Sequence, residues 1–294
     1  MSRPLFGSHS ATIVGPALAV RISEIAETPE LPPTTQSEGP CHHSRMRPEK
    51  LCGVWWARLA ELRAAHLELL DTDERRRRAG FARAADRDRF TLGAALLRLA
   101  AGAHLGIPAR RVPVRRRCPH CRGPHGRPTL PGEPLHLSVT HAGDLVGVAV
   151  TAAGPVGLDV EQEVELDWRR LARRIQAPGE ADPIRSRAGF LRCWTRKESV
   201  LKATGDGLRV PMSEVAIGPG PTLLRYRSRV RPPAHLTDLP APPGYAAALT
   251  VLAPAPPRVT AEAAGGLLID RAICEKTRVR EGRRMVTGHP AGGG

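Results

Sequence analysis

The chain has 294 residues, 41% hydrophobic and 25% charged, which suits a soluble globular protein of one large or two small domains. No apolar run approaches transmembrane length, which excludes a helical membrane protein, and six cysteines without a regular framework argue for a reducing, cytoplasmic setting over a disulfide-stapled secreted one. A net charge of +15 demands an acidic partner, and with only 3% aromatic residues the core must rest on Leu, Val and Ala.

Residues 1–47 show no sustained period and carry Pro29, Pro32, Pro33 and Pro40 among Ser, Thr and Glu, so they read as a disordered leader. Pro16 and the thin positive flank of Arg3 argue against a signal peptide over 11–20, and Met46 is a candidate alternative start. Val54-Trp55-Trp56 predicts a first strand, and residues 60–70 have helical spacing. Asp71 and Asp73 are candidate N-caps for a helix carrying Arg75 to Arg78. A longer helix is predicted from Asp86 to His104, stopped by Gly106. Residues 115–134 are irregular. Cys118-x-x-Cys121 with His120 and His125 invites a zinc reading, but only one good ligand pair is present where a structural site uses two.

Alternation then begins. Leu135, Leu137 and Val139 point one way and Ser138 and Thr140 the other; Gly143-Asp144 turns the chain into a second strand over Leu145–Thr151. Val156-Gly157-Leu158-Asp159-Val160-Glu161 predicts a strand with two carboxylates, Asp159 and Glu161, on one face. Adjacent carboxylates repel unless a cation lies between them, and a hard cation with oxygen ligands, such as Mg²⁺, is the natural answer; a plain charged edge strand is the other reading. Residues 167–175 look helical. In Trp194-Thr195-Arg196-Lys197-Glu198-Ser199-Val200-Leu201-Lys202, helical spacing puts Trp194, Glu198 and Lys202 on one face. The chain has only four lysines among its many arginines, and two stand here; lysine, unlike arginine, can have its proton tuned. Strands are predicted at Val215–Ile217, Leu223–Tyr226 and Tyr245–Leu252, with proline-rich turns over 231–243 and a flexible tail after Pro257.

An arginine cluster, Gly126-Arg127-Pro128, Thr140-His141, the Val156–Glu161 motif and the Trp194–Lys202 motif follow in this order, and over roughly residues 52–257 the chain resembles the 4′-phosphopantetheinyl transferase superfamily in its longer type. The resemblance implies an α+β fold of two similar halves related by a pseudo-twofold axis, residues 48–153 and 154–257. Each half is a small antiparallel sheet packed on a long helix, with coenzyme A in the cleft between them and residues 1–47 and 258–294 outside. It implies that Asp159, Glu161 and Glu198 bind Mg²⁺, that Glu198 and Lys202 are catalytic, and that Arg77, Arg127, Thr140, His141 and Lys202 hold the coenzyme. The implied reaction moves phosphopantetheine to a serine of an acidic acyl- or peptidyl-carrier protein; the enzyme would be a monomer with no nucleic-acid or membrane partner. Departures from the family pattern are Leu158, Thr140 in place of serine, Arg127 in place of lysine, and a shortened segment between Asp159 and Glu198, which bears on carrier choice. The competing readings are an arginine-rich nucleic-acid-binding protein, disfavoured by scarce aromatics, and a catalytically degenerate transferase.

Overall fold

The computed structural model describes residues 51–118, 123, 126–180, 184–227 and 232–269. The expected leader, Met46, and Cys121, His120 and His125 of the zinc reading lie outside these residues. In chain order the elements are β1 (Leu51–Arg58), α1 (Ala64–Leu67), α2 (Thr72–Ala79), α3 (Ala84–Leu105), β2 (Arg115–Arg116), β3 (Pro128–Thr129), β4 (His136–Ala142), β5 (Leu145–Thr151), β6 (Val156–Gln162), α4 (Trp168–Ile175), α5 (Arg187–Thr204), β7 (Val215–Gly218), β8 (Thr222–Tyr226), β9 (Ala234–Leu239), β10 (Tyr245–Leu252), β11 (Arg258–Ala263) and α6 (Gly265–Ile269).

The fold is mixed α+β. A six-stranded sheet has the order β11-β1-β5-β4-β3-β2, with β11 parallel to β1 and the other pairs antiparallel; a three-stranded antiparallel sheet has the order β6-β10-β9; β7 and β8 form a separate hairpin. The long helix α3 lays Leu92, Leu96, Leu97 and Ala100 on one face of the large sheet, against Leu137, Val146, Val148 and Val150. The opposite face carries Cys52, Val54 and Ala149, which meet Val156, Leu158, Val160, Leu249 and Val251 of the three-stranded sheet. Every residue of β5 is therefore buried, which is why it reads as a continuous apolar run. Helix α5 covers the three-stranded sheet and shares Val200 and Leu201 with a cluster containing Val215, Ile217, Leu223 and Leu236.

Local chemistry explains the helix ends. Asp71 caps α2 by accepting from the Glu74 amide at 2.9 Å, and Glu74 returns the bond to the Asp71 amide at 3.1 Å, forming a capping box. Gly106 and Gly205 close α3 and α5 in the left-handed region. Arg98 of α3, only 2% exposed, donates to Glu74 at 2.9 Å, to Asp71 at 2.6 Å and to the Val112 carbonyl at 2.7 Å, so it fixes α2 on α3.

Three expectations are corrected. The helical spacing of 60–70 yields a short 3-10 turn at Leu59–Glu61 and the four-residue α1, because Arg63 is extended and its amide is bound by the side chain of buried His66 at 3.0 Å. The proline-rich stretch 231–243 contains a strand, β9; its prolines flank the strand, as an edge position permits. The tail does not begin at 258: β11 fills the free edge of β1, and Ala264 and Leu268 are buried in the core beneath α3.

Candidate active site

The three-stranded sheet has two edges, and β6 is one of them. Its outward amides would lack partners, and β4 supplies them from side chains. Ser138 Oγ accepts from the Leu158 amide at 2.9 Å and Thr140 Oγ1 from the Val160 amide at 3.1 Å. The alternation that turned Ser138 and Thr140 to one face of β4 thus joins the two sheets. On its other side β6 lies against α5. A Cβ on Gly157 would stand 2.0 Å from the Ser199 carbonyl oxygen, so glycine alone allows this approach. Close packing of β6 on α5 brings Asp159 and Glu161 to Glu198 and Lys202.

At the centre, Lys202 Nζ donates to Asp159 Oδ1 at 2.6 Å, to the Leu158 carbonyl at 3.0 Å and to Thr140 Oγ1 at 3.2 Å. Asp159 is 3% exposed, and its Oδ2 is buried with no hydrogen-bond partner. Burial raises the Asp159 pKa, and the ammonium opposes the rise. Burial, then the charge of Asp159, push Glu161 up to about 8, and the same two causes push Glu198 up to about 7. Burial opposes the charge on Lys202, yet Asp159, Glu198 and Glu161 together hold its pKa above the usual lysine range. Three carboxylates thus share one ammonium, and each raises the cost of ionising the next.

The other expected site residues lie in two places. His141 follows Thr140 on β4; burial, then Lys202 and Arg89, lower its pKa to about 4, so it is a neutral imidazole at pH 7. The hairpin turn beside it is anchored by Arg89, which donates to the Gly143 carbonyl at 2.6 Å. Arg127 reaches the C-terminal end of α5, donating to the Ala203 carbonyl at 3.0 Å, one residue from Lys202. Arg77 lies instead on a cavity of about 630 Å³ lined by Asp71, Glu74, Val114, Arg116 and Thr129. It stacks over Phe90 at 5.4 Å, and its Nη1 is buried without a partner.

Two features were missed in the sequence. Arg116 turns inward on β2, where burial, then Arg77, lower its pKa to about 10, and its Nε is unpartnered. Strand alternation within Arg115–Arg117 was the available signal. Lys197 is fully buried: its Nζ pairs with Glu180 at 2.8 Å and donates to the carbonyls of Ile175 at 2.5 Å and Met212 at 3.2 Å. Helical spacing puts it on a different face of α5 from Lys202, but only the fold shows that this face is buried against Glu180.

A divalent cation fits the donor chemistry here: all three carboxylates offer oxygen, and Asp159 Oδ2 is a buried acceptor without a donor. As the side chains stand, no three His, Cys, Asp or Glu side chains converge as a ready-made ligand set among the described residues. No helix among those residues is long and apolar enough to cross a membrane.

Residues 155–248 match the family model described as the 4′-phosphopantetheinyl transferase superfamily. Among curated relatives, the chain is 36% identical over 91 residues to the 4′-phosphopantetheinyl transferase AcpT of Salmonella typhi, covering 28% of this chain and 47% of that protein. It is 32% identical over 164 residues to the 4′-phosphopantetheinyl transferase HetI of a Nostoc species, covering 52% of this chain and 66% of that one. It is 26% identical over 160 residues to the 4′-phosphopantetheinyl transferase gsp of Aneurinibacillus migulanus, covering 52% and 64%. The chain thus spans from about half to just under two thirds of these relatives' lengths.

Proposed function

We propose, from the premise that residues 155–248 belong to the 4′-phosphopantetheinyl transferase superfamily, that this chain transfers 4′-phosphopantetheine from coenzyme A to a serine hydroxyl of an apo carrier protein. The observation that carries this reading is the pairing of Asp159 and Glu161 on β6 with Glu198 and Lys202 on α5, with one buried carboxylate oxygen left unmatched. The serine oxygen forms a bond to the β-phosphorus of coenzyme A, the bond from that phosphorus to the bridging oxygen breaks, and 3′,5′-ADP leaves.

Asp159, Glu161 and Glu198 are the residues that would hold Mg²⁺. When bound, such an ion neutralises charge on phosphoryl oxygens. The chain's own residues have separate tasks. Glu198, raised to about 7, is suited to take the serine proton near neutral pH. Lys202, held charged by its three carboxylate neighbours, supplies positive charge for the leaving group. Neutral His141 can donate one N–H to a phosphate without adding charge, and Arg127 adds a guanidinium at the C-terminal end of α5. Arg77 and Arg116, each with an unpartnered N–H, suit the nucleotide end of the coenzyme.

The helix-on-sheet units built on α3 and α5 are consistent with the two pseudo-twofold halves of the longer type. The reading carries with it a cytoplasmic monomer whose partner is an acidic acyl- or peptidyl-carrier domain, and the net charge of +15 would speed docking of such a domain. The test is intact-mass spectrometry of an apo carrier incubated with this chain, coenzyme A and Mg²⁺. The expected result is a gain of one phosphopantetheinyl group, abolished by EDTA and by Asp159→Ala. No gain on either an acyl or a peptidyl carrier would overturn the assignment.

A further inference from the structure

We propose that Thr140 is a positioning residue that fixes the plane of the Asp159 carboxylate, so that its second oxygen is offered to a divalent cation, and that it is not a nucleotide contact. The proposal rests on the metal reading above, and its geometry comes from hydrogen-bond capacity. A hydroxyl has one proton to donate and two lone pairs to accept with. Thr140 donates to Asp159 Oδ1 at 3.3 Å and accepts from the Val160 amide at 3.1 Å and from Lys202 Nζ at 3.2 Å. It is 4% exposed, so neither space nor hydrogen-bonding capacity remains for a phosphate.

Lys202 is equally committed, with one N–H each to Thr140, the Leu158 carbonyl and Asp159 Oδ1. Both side-chain donors therefore converge on Oδ1, and Oδ2 is left buried and bare. A buried carboxylate oxygen without a donor is costly, and a cation relieves that cost. Without the hydroxyl, Lys202 alone restrains the carboxylate, whose plane can then tilt about the terminal torsion and carry the bare oxygen out of position. Hydrogen bonds to ligating carboxylates orient and tune them in just this way.

The test compares Thr140→Val, Thr140→Ser and Ser138→Ala in the metal-free full chain, titrated with Mn²⁺ alone and read by electron paramagnetic resonance of the free ion. Thr140→Val should weaken Mn²⁺ binding by about 10–100-fold, and Thr140→Ser should restore it. Ser138→Ala removes the parallel bond to the Leu158 amide yet touches neither Asp159 nor Lys202, so it should lose stability while keeping Mn²⁺ affinity. If valine at 140 unfolds the chain, Thr140→Cys carries the same expectation, since a thiol is a weak donor and acceptor. Unchanged affinity in Thr140→Val, or an equal loss in Ser138→Ala, would overturn the proposal. A wild-type chain that does not take up Mn²⁺ would overturn it together with the metal assignment. If the Mn²⁺ pattern holds but no carrier is modified, the transferase reading fails and the role of Thr140 stands.

Discussion

Lys197 and Lys202 stand in one turn-and-a-half of α5 and do opposite work. Lys202 is 29% exposed and faces the carboxylates; Lys197 is fully buried and bound to Glu180. Glu180 also accepts from the Ala177 amide at 2.7 Å and the Ile217 amide at 2.9 Å. This pair holds the loop after α4 and strand β7 onto α5, and so sets the rotation of the helix that carries Glu198. Removing one partner of a buried pair leaves an uncompensated charge. Lys197→Ala should therefore cost about 3–5 kcal/mol in urea unfolding. A wild-type midpoint would show that the pair contributes nothing.

At the scale of elements, the C-terminal strand matters most for the first half of the fold. The β11 strand pairs from Leu51↔Arg258 to Trp56↔Ala263, covering the edge of β1 that β5 leaves open. Beyond it, Ala264 and Leu268 enter the α3 core, and the Leu268 carbonyl lies 3.4 Å from His66 Nε2. A chain ended after Pro257 should lose cooperative thermal unfolding and aggregate through the bared edge. A soluble truncation that unfolds cooperatively would contradict this. The joint between the sheets combines the apolar contacts of Val156, Leu158 and Val160 with the hydroxyls of Ser138 and Thr140 on the β6 amides, while the alternate residues of β6 carry the carboxylates.

For the whole molecule, the site should make stability fall with pH near neutrality. Glu198 and Glu161 are raised to about 7 and about 8, so the folded chain binds more protons than the unfolded one between the ordinary glutamate range and those values. Stability from these groups is lost as pH rises through that interval. The lowered histidines His66, His104, His136 and His141 act in the opposite sense, but only below their unfolded pKa of about 6.5. In EDTA, the denaturation midpoint should therefore drop between about pH 6.5 and pH 8, and Glu161→Gln should flatten much of the drop. Equal slopes for wild type and variant would show that Glu161 is not raised.

The local signals in the chain determined most of the elements. Asp71 and Glu74 wrote the start of α2, Gly106 and Gly205 ended the two long helices, and the alternation from Leu135 to Val139 set the faces of β4. The spacing of Trp194, Glu198 and Lys202 placed a carboxylate and an ammonium on one helix face, because helical periodicity is a property of sequence alone. Tertiary structure decided what those groups meet. The strand β11 could not be read, since its partner lies some two hundred residues earlier and parallel pairing leaves no turn signal. That Lys197 is structural while Lys202 belongs to the site, that Thr140 turns its hydroxyl inward, and that Asp159 keeps one oxygen bare all depend on which backbone groups reach across from other elements. Hydrogen-bond capacity is spent in three dimensions, so residues of one chemical type take different roles according to the neighbours the fold brings to them.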